Sequence, residues 1–218
     1  MKAEIKSGVE GLETSLSALG IELSGGRLEL LERYCRELVR WNRRLNLTGA
    51  RTVEELAAGP LFDALTLVPV LERSGRLLDI GSGGGLPGVP AAIACPELTL
   101  TLVEPRARRA AFLRHAVHLL RLDCEVVQTR AEELAWGEYD GAVAQAVWPA
   151  GEWIPRGAAL VGEGKALYAL TAEPLDEPKL QGRAEVEAHV DSLRPRDDRK
   201  RHAYRLRMHV ASQDRPDW

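Results

Sequence analysis

The chain has 218 residues, 45% hydrophobic and 28% charged, with a net charge of −3. These are globular proportions that allow a core of useful size in one domain with a modest extension. They exclude a global electrostatic pull toward nucleic acid, so any such attraction has to be local.

No run approaches the roughly 18 apolar residues of a membrane span, and the start, MKAEIKSGVEGLETSL, lacks an apolar signal core. Cys35, Cys95 and Cys124 are odd in number and widely spaced, which gives neither a disulfide framework nor a CxxC metal pattern. A reduced, cytoplasmic setting away from membranes is expected.

Residues 9–20 and 27–47 read as helices. In the second, Leu28, Leu31, Cys35, Leu38, Trp41 and Leu45 recur three or four apart, as one buried face requires. Residues 53–72 suggest one or two further helices interrupted by Gly59-Pro60. The pattern then changes. Short apolar strands at 76–80, 98–104, 124–130, 139–146 and 165–172 alternate with helical stretches after residue 86, at 106–121 and near 150–161. EVEAHV and HAYRLRMHVA look like a closing antiparallel pair. This order predicts an α/β fold: a mostly parallel, Rossmann-like sheet with right-handed crossovers and an antiparallel C-terminal pair. A helical cap over residues 1–72 precedes the sheet domain at 73–218.

The first strand runs into LLDIGSGGGLPGVP (77–90). Glycine costs folding entropy, so this density marks a place where backbone passes close to a ligand or makes a tight turn. In such a sheet, ligands lie beyond the carboxyl ends of the strands, beside the first β–α turn. Glu104 closes the second strand, where a carboxylate can accept from both hydroxyls of a ribose. A dinucleotide fingerprint started at Gly81 needs glycine at 86, and Leu86 stands there. Started at Gly83 it is met by Gly85 and Gly88, but Pro87 and Pro90 delay the helix. Asp79 directly precedes the loop and suits a ligand with a cationic amino-acid part better than a pyrophosphate. These features favour S-adenosylmethionine (SAM), with a dinucleotide or a plain turn as the alternatives.

The stretches WNRRLNLTGA (41–50), LLDIGSGGGLPGVPAAIACPE (77–97), LVEPRARRAAFLRHA (102–116) and VVQTRAEEL (126–134) resemble the bacterial small-subunit rRNA guanine-N7 methyltransferase family, also called glucose-inhibited division protein B. With weaker similarity around them they cover roughly residues 20–147. The resemblance implies a Rossmann-like methyltransferase that uses SAM and acts on 16S rRNA or an assembling small subunit. It implies SAM contacts at Gly81, at Leu86, and at Ala131-Glu132, whose backbone would reach the adenine edge. Without the resemblance, Ala131-Glu132 reads as an ordinary helix start. With Asp79, Gly83, Gly85, Glu104 and Gln145, these residues form the expected cofactor site. No catalytic side chain is assigned.

Three segments depart from the family. Its H-x-x-D-S-L is here Pro60-Leu61-Phe62-Asp63-Ala64-Leu65. Its S-R-A after the fourth strand, with a cofactor-site arginine, is Ala144-Gln145-Ala146. Its late lysine-glycine pair is replaced by Leu170-Thr171-Ala172. A diverged methyltransferase acting on another RNA or a small molecule, and a SAM-binding protein without turnover, therefore stay open beside the rRNA reading.

Arg43, Arg44, Asn46 and Asp63 are the candidate substrate contacts. Asn42 and Asn46 share a helical face, and either capping or a hydrogen bond to Asp63 would explain them. Arg106, Arg108 and Arg109 open a helix whose dipole disfavours cations, as an RNA-facing or simply solvated surface would. His115 and His118 gather no carboxylates or thiols, and no metal is expected. The tract RPRDDRKRHAYRLR (194–207) has seven basic residues and two aspartates. It reads equally as a phosphate-tracking surface or as a charged strand edge that blocks sheet-to-sheet pairing. The oligomeric state is open, with a monomer as the default.

Overall fold

Among the described residues, seven strands form one sheet in the order β3-β2-β1-β4-β5-β7-β6. The computed structural model describes residues 2–134, 137–176, 180 and 182–209. The strands are β1 (Gly75–Ile80), β2 (Leu98–Val103), β3 (Cys124–Val127), β4 (Gly141–Ala144), β5 (Ala166–Thr171), β6 (Ala184–Leu193) and β7 (Lys200–Met208). The first five pair in parallel, while β7 runs antiparallel between β5 and β6. The final strand anticipated from the sequence reached Val210 and Ala211, which lie outside the described residues.

Helices α5 (Gly88–Ala94), α6 (Ala107–Leu120) and α7 (Ala150–Val161) make the crossovers. The chain winds from β1 outward to β3, then returns to lay β4 on the other side of β1. That reversal opens a crevice at the carboxyl ends of β1 and β4.

Alternation along each strand divides the core. Leu77, Leu100, Leu102, Tyr168 and Ala203 face one hydrophobic cluster, while Leu78, Ile80, Val103, Leu167, Tyr204 and Leu206 face the other. The first cluster continues without a break into the N-terminal helices through Leu12, Leu31, Tyr34, Cys35, Leu38, Leu61 and Leu65. Packing therefore crosses the sequence boundary at residue 72.

Those helices are α1 (Lys2–Ala18), α2 (Arg27–Leu45), α3 (Val53–Leu56) and α4 (Phe62–Leu65). Leu31, Cys35 and Leu38 of the anticipated face are buried, as is Tyr34. Burial pushes the Cys35 thiol well above its usual range, consistent with a small inert hydrophobe. Residues 57–61 form a wide π-helical turn between α3 and α4 that contains Pro60. Proline has no N–H to donate, and a wider turn relieves its ring from the preceding carbonyl. The cap docks on α6 through Trp41, which packs on Phe112 and His115, and through a 3.0 Å contact between His115 Nε2 and Glu37. No helix among the described residues is long and apolar enough to cross a membrane.

Candidate functional site

The glycine loop follows β1 and is held from three directions. Ser82 N donates to Val103 O of β2 at 3.0 Å, and Gly83 N donates to Glu104 Oε2 at 3.0 Å. Beneath the loop, Gly88 N donates to Asp79 Oδ2 at 3.1 Å, which sets the start of α5 over the end of β1. From the cap, the Tyr34 hydroxyl donates to Gly84 O at 2.7 Å.

Two glycines have specific reasons. A Cβ on Gly88 would lie 2.5 Å from Leu102 Cδ2 and 2.6 Å from Asp79 Oδ2. Gly81 has φ +69°, and a Cβ there would lie 2.6 Å from Val147 Cγ2. Neither position admits a side chain without movement.

In front of the loop lies a cavity of about 690 Å³. One wall is Gly81 to Gly84 with Leu86, and Glu104 to Arg106 with Arg109 continue it. Gln145, Ala146 and Val147 enter from the end of β4. The opposite wall comes from Leu47, Thr48, Pro60 and Asp63 of the cap, together with Arg194 from the end of β6. Gln145 Oε1 is buried with no hydrogen-bond partner among the described residues. It is an acceptor left over in a ligand-sized space.

The structure gathers Gly81, Gly83, Leu86, Glu104, Gln145 and Asp63 around this one cavity. Gly85 sits behind it, against Val89 and Leu113. Asp79 is fully buried below the loop and does not line the cavity. Burial pushes its carboxyl up to about 7; bonds from Ser82 and Gly88 pull the other way, and Glu104 adds to the rise. Its Oδ1 has no partner among the described residues. The alternation of β1 turns the side chain onto the α5 face, away from the opening.

Ala131 and Glu132 form a short 3-10 turn beyond β3, outside the cavity lining, with Ala131 buried in the second core cluster. Arg43 and Arg44 are exposed at the end of α2, and neither lines the cavity. Asn46 is the left-handed C-cap of that helix, with φ 49°. Its carbonyl accepts from Arg109 Nη2 at 3.2 Å, which ties the cap to α6.

Asn42 folds the segment after it. Its Nδ2 donates to Thr48 O and Ala50 O, and its Oδ1 accepts from Leu47 N and Thr48 N. That satisfies the side chain through local capping, without Asp63. Asp63 instead holds two arginines from the C-terminal strands: Arg194 through Nε and Nη2, and Arg201 through Nε at 2.9 Å.

Two of the three departures from the family fall on the cavity, through Pro60 and Gln145. Ala64 is buried beside them, and Leu170-Thr171-Ala172 lie elsewhere. Sequence reasoning missed Tyr34 and Arg194. Tyr34 stands between the periodic positions of α2, and its polar end gave no signal. Arg194 lies 131 residues from Asp63, and only the folded chain brings the two together. Its trace was the basic tract.

Away from the cavity, His189, Asp191 and His202 cluster on the last two strands. Both imidazoles approach Asp191 Oδ1 at 2.6 Å, so one shared carboxylate oxygen accounts for the arrangement.

A family model described as GidB, rRNA small subunit methyltransferase G, matches residues 27–196. A ribosomal RNA small subunit methyltransferase G of Anaeromyxobacter dehalogenans is 36% identical over 182 residues, covering 82% of this chain and 85% of the relative. Among solved structures, a methyltransferase from Pyrococcus furiosus superposes with a TM-score of 0.56 at 13% identity, covering 71% of this chain and 85% of that one. TYW2 of P. horikoshii in complex with MeSAdo gives 0.52 at 16% identity, covering 69% and 62%. At those identities the structures establish the Rossmann-like methyltransferase fold, while the family model and the curated relative establish kinship. The chain belongs to the GidB family, the rRNA small subunit methyltransferases G.

Proposed function

We propose that this protein transfers the methyl group of SAM to N7 of a guanine in small-subunit rRNA, acting as a monomer on naked 16S rRNA or an assembly intermediate in the cytoplasm. One observation carries the reading. The cavity at the carboxyl ends of β1, β2 and β4 joins the glycine loop, Glu104 and a Gln145 oxygen without a partner among the described residues in one space. Its volume falls in the range of small-molecule sites. The family to which the chain belongs supports the rRNA substrate.

The residues fit SAM. Gly81 and Gly83 admit close approach, Leu86 gives an apolar contact, and Glu104 keeps lone pairs for the ribose hydroxyls beside its two backbone bonds. Gln145 offers an acceptor, and Ala131-Glu132 are assigned the adenine edge. Asp79 acts through the loop that it supports. When bound, SAM supplies an electrophilic methyl group on a sulfonium sulfur.

Guanine N7 carries an in-plane lone pair and no proton, so the protein needs no general base. Its task is alignment and exclusion of water. Residues 1–72 serve that task as the cap, contributing Thr48, Pro60 and Asp63 to the wall that faces the loop, while residues 73–218 hold the cofactor.

The test is mass spectrometry of nucleosides from rRNA of cells with and without this chain, and of stripped rRNA incubated with the protein and SAM. N7-methylguanosine should appear only where the chain is present. Binding of SAM with no methylated nucleoside would overturn the reading in favour of a SAM-binding protein without turnover.

A further inference from the structure

The seven basic residues between 194 and 207 are not electrically alike. On β7, Arg205 pairs with Glu187 at 3.2 Å, and Arg207 pairs with Glu187 and Glu72 at 2.7 and 3.2 Å. These two are neutralised within the sheet. Arg194 and Arg201 share Asp63 at the cavity wall. The remaining three are exposed: Arg196 and Arg199 in the turn between β6 and β7, beside the exposed Asp198, and Lys200 at the first position of β7. Arg196 and Lys200 form no salt bridge among the described residues, and Arg199 reaches only Asp197, at 3.4 Å and with 69% of its side chain exposed.

The turn is nevertheless fixed. Arg194 N donates to Arg199 O at 3.0 Å, Asp198 N donates to Arg194 O at 3.0 Å, and Asp198 takes φ 52°. The Arg194 side chain, 11% exposed, bonds Asp63 and Asp197 together and lines the cavity. These exposed cations therefore stand within a few residues of Arg194 at the cavity, on a hydrogen-bonded hairpin. One of the two large apolar side chains exposed among the described residues, Val147, also lines the cavity. In a chain of net charge −3, three exposed cations on the hairpin that reaches the cavity match a polyanion.

We propose that the β6–β7 hairpin tip grips the RNA backbone beside the target guanine through Arg196, Arg199 and Lys200, with Arg194 as the pin that fixes the tip to the cavity. The inference rests on the rRNA methyltransferase reading and names the surface by which that substrate is held.

The test compares wild type with R196A/R199A/K200A, using stripped small-subunit rRNA, SAM and a range of salt concentrations. Circular dichroism melting shows that the variant is folded. The KM for RNA should rise at least tenfold, with SAM affinity and kcat at saturating RNA unchanged. The slope of log affinity against log salt should flatten by about 2, since each lost phosphate contact to single-stranded RNA removes about 0.7. Restoring charge with R196K/R199K should recover most of the KM. An unchanged RNA KM and salt slope in the folded variant would overturn the proposal. So would a defect seen only on ribosomal particles and not on naked RNA, which would assign the tip to a protein partner. If wild type itself methylates no rRNA, the functional reading falls, and a direct RNA-binding titration of both proteins still decides whether the tip binds RNA.

Discussion

The two walls of the cavity differ in how they are made. The glycine-loop wall is continuous in sequence and works through backbone: Ser82, Gly83 and Gly88 donate their N–H groups to β2, Glu104 and Asp79. The rest of the lining is assembled from side chains far apart in the chain: Pro60, Asp63 and Arg194 on the facing wall and Gln145 at the end of β4 meet only in the folded protein. The changes from the family pattern that touch the cavity, at Pro60 and Gln145, lie in this part built of side chains, and none lies in the glycine loop. A backbone-built wall depends on absent side chains, so few substitutions are tolerated there. A side-chain wall can exchange one polar group for another that arrives from a different strand.

The largest effect should come from breaking the backbone wall. Gly88→Ala drives a Cβ into Leu102 and the Asp79 carboxylate, which are fixed on β2 and β1. Overpacking of this kind costs about 1–3 kcal/mol, and it also pulls Gly88 N away from Asp79. The expected result is a lower melting temperature and loss of SAM binding, read by calorimetry. Unaltered stability and affinity would show that the start of α5 yields more easily than its contacts imply.

Glu104 sharpens the comparison because its two oxygens hold the backbone of two loops, at Gly83 N (3.0 Å) and Arg106 N (2.9 Å). Glu104→Ala strands both donors at about 1–3 kcal/mol each where they stay buried. Both SAM affinity and resistance to denaturant should fall. Glu104→Gln keeps one acceptor but turns an amide NH2 toward the other N–H, so it should recover at most half of the stability. A Gln variant as stable as wild type would mean that one of the two backbone bonds contributes nothing.

A smaller effect, visible only as a function of pH, follows from Asp79. Burial raises its folded pKa to about 7, against about 3.9 in an unfolded chain. Between these values the folded state binds more protons than the unfolded state, so this residue's contribution to stability declines as pH rises through the window and levels off above about 7. Asp79→Asn stays neutral and keeps a carbonyl oxygen for Gly88. The variant should therefore gain on wild type between pH 4 and pH 7, with a constant difference above. Parallel unfolding curves that keep the same gap from pH 4 to pH 8 would show that Asp79 does not titrate in the folded protein as its burial demands.

The difference between the walls also explains what the sequence could tell. The loop, the strand that precedes it and the carboxylate at the end of β2 were legible because they are local: an apolar run, a glycine cluster and one acid at a strand end. The succession of strands and helices along the chain and the antiparallel pair followed from the alternation of patterns. The destination of Asp63 was not legible, since its partners Arg194 and Arg201 lie more than a hundred residues away in a tract that reads as solvated charge. Asp79 shows a different limit. Its position before the loop was plain, but its direction depends on the register of β1, which turns it under the loop and away from the opening. Tyr34 needed the packing of α2 against Gly84 before its hydroxyl acquired a role.

The smallest expected effect tests whether the facing wall has exchanged its cation for another. If Arg194 stands in for the arginine that the family pattern has after the fourth strand, the cavity already holds that charge. Gln145→Arg alone should then change SAM affinity or methyl transfer little, by less than tenfold, or about 1.4 kcal/mol. Arg194→Gln alone should weaken one or both, although it also releases Asp63. In the double variant the arginine at 145 should restore much of what Arg194→Gln removes, and the coupling in the double-mutant cycle should exceed about 0.5 kcal/mol. Strictly additive effects would separate the two positions and assign Arg194 to the hairpin pin alone. A drop in melting temperature on Gln145→Arg without any gain in the Arg194→Gln background would point to overpacking at the buried Gln145 oxygen. Melting temperature, SAM affinity and single-turnover methyl transfer measured on all four proteins separate these outcomes, because a transferred charge restores function while a crowded cavity only lowers stability.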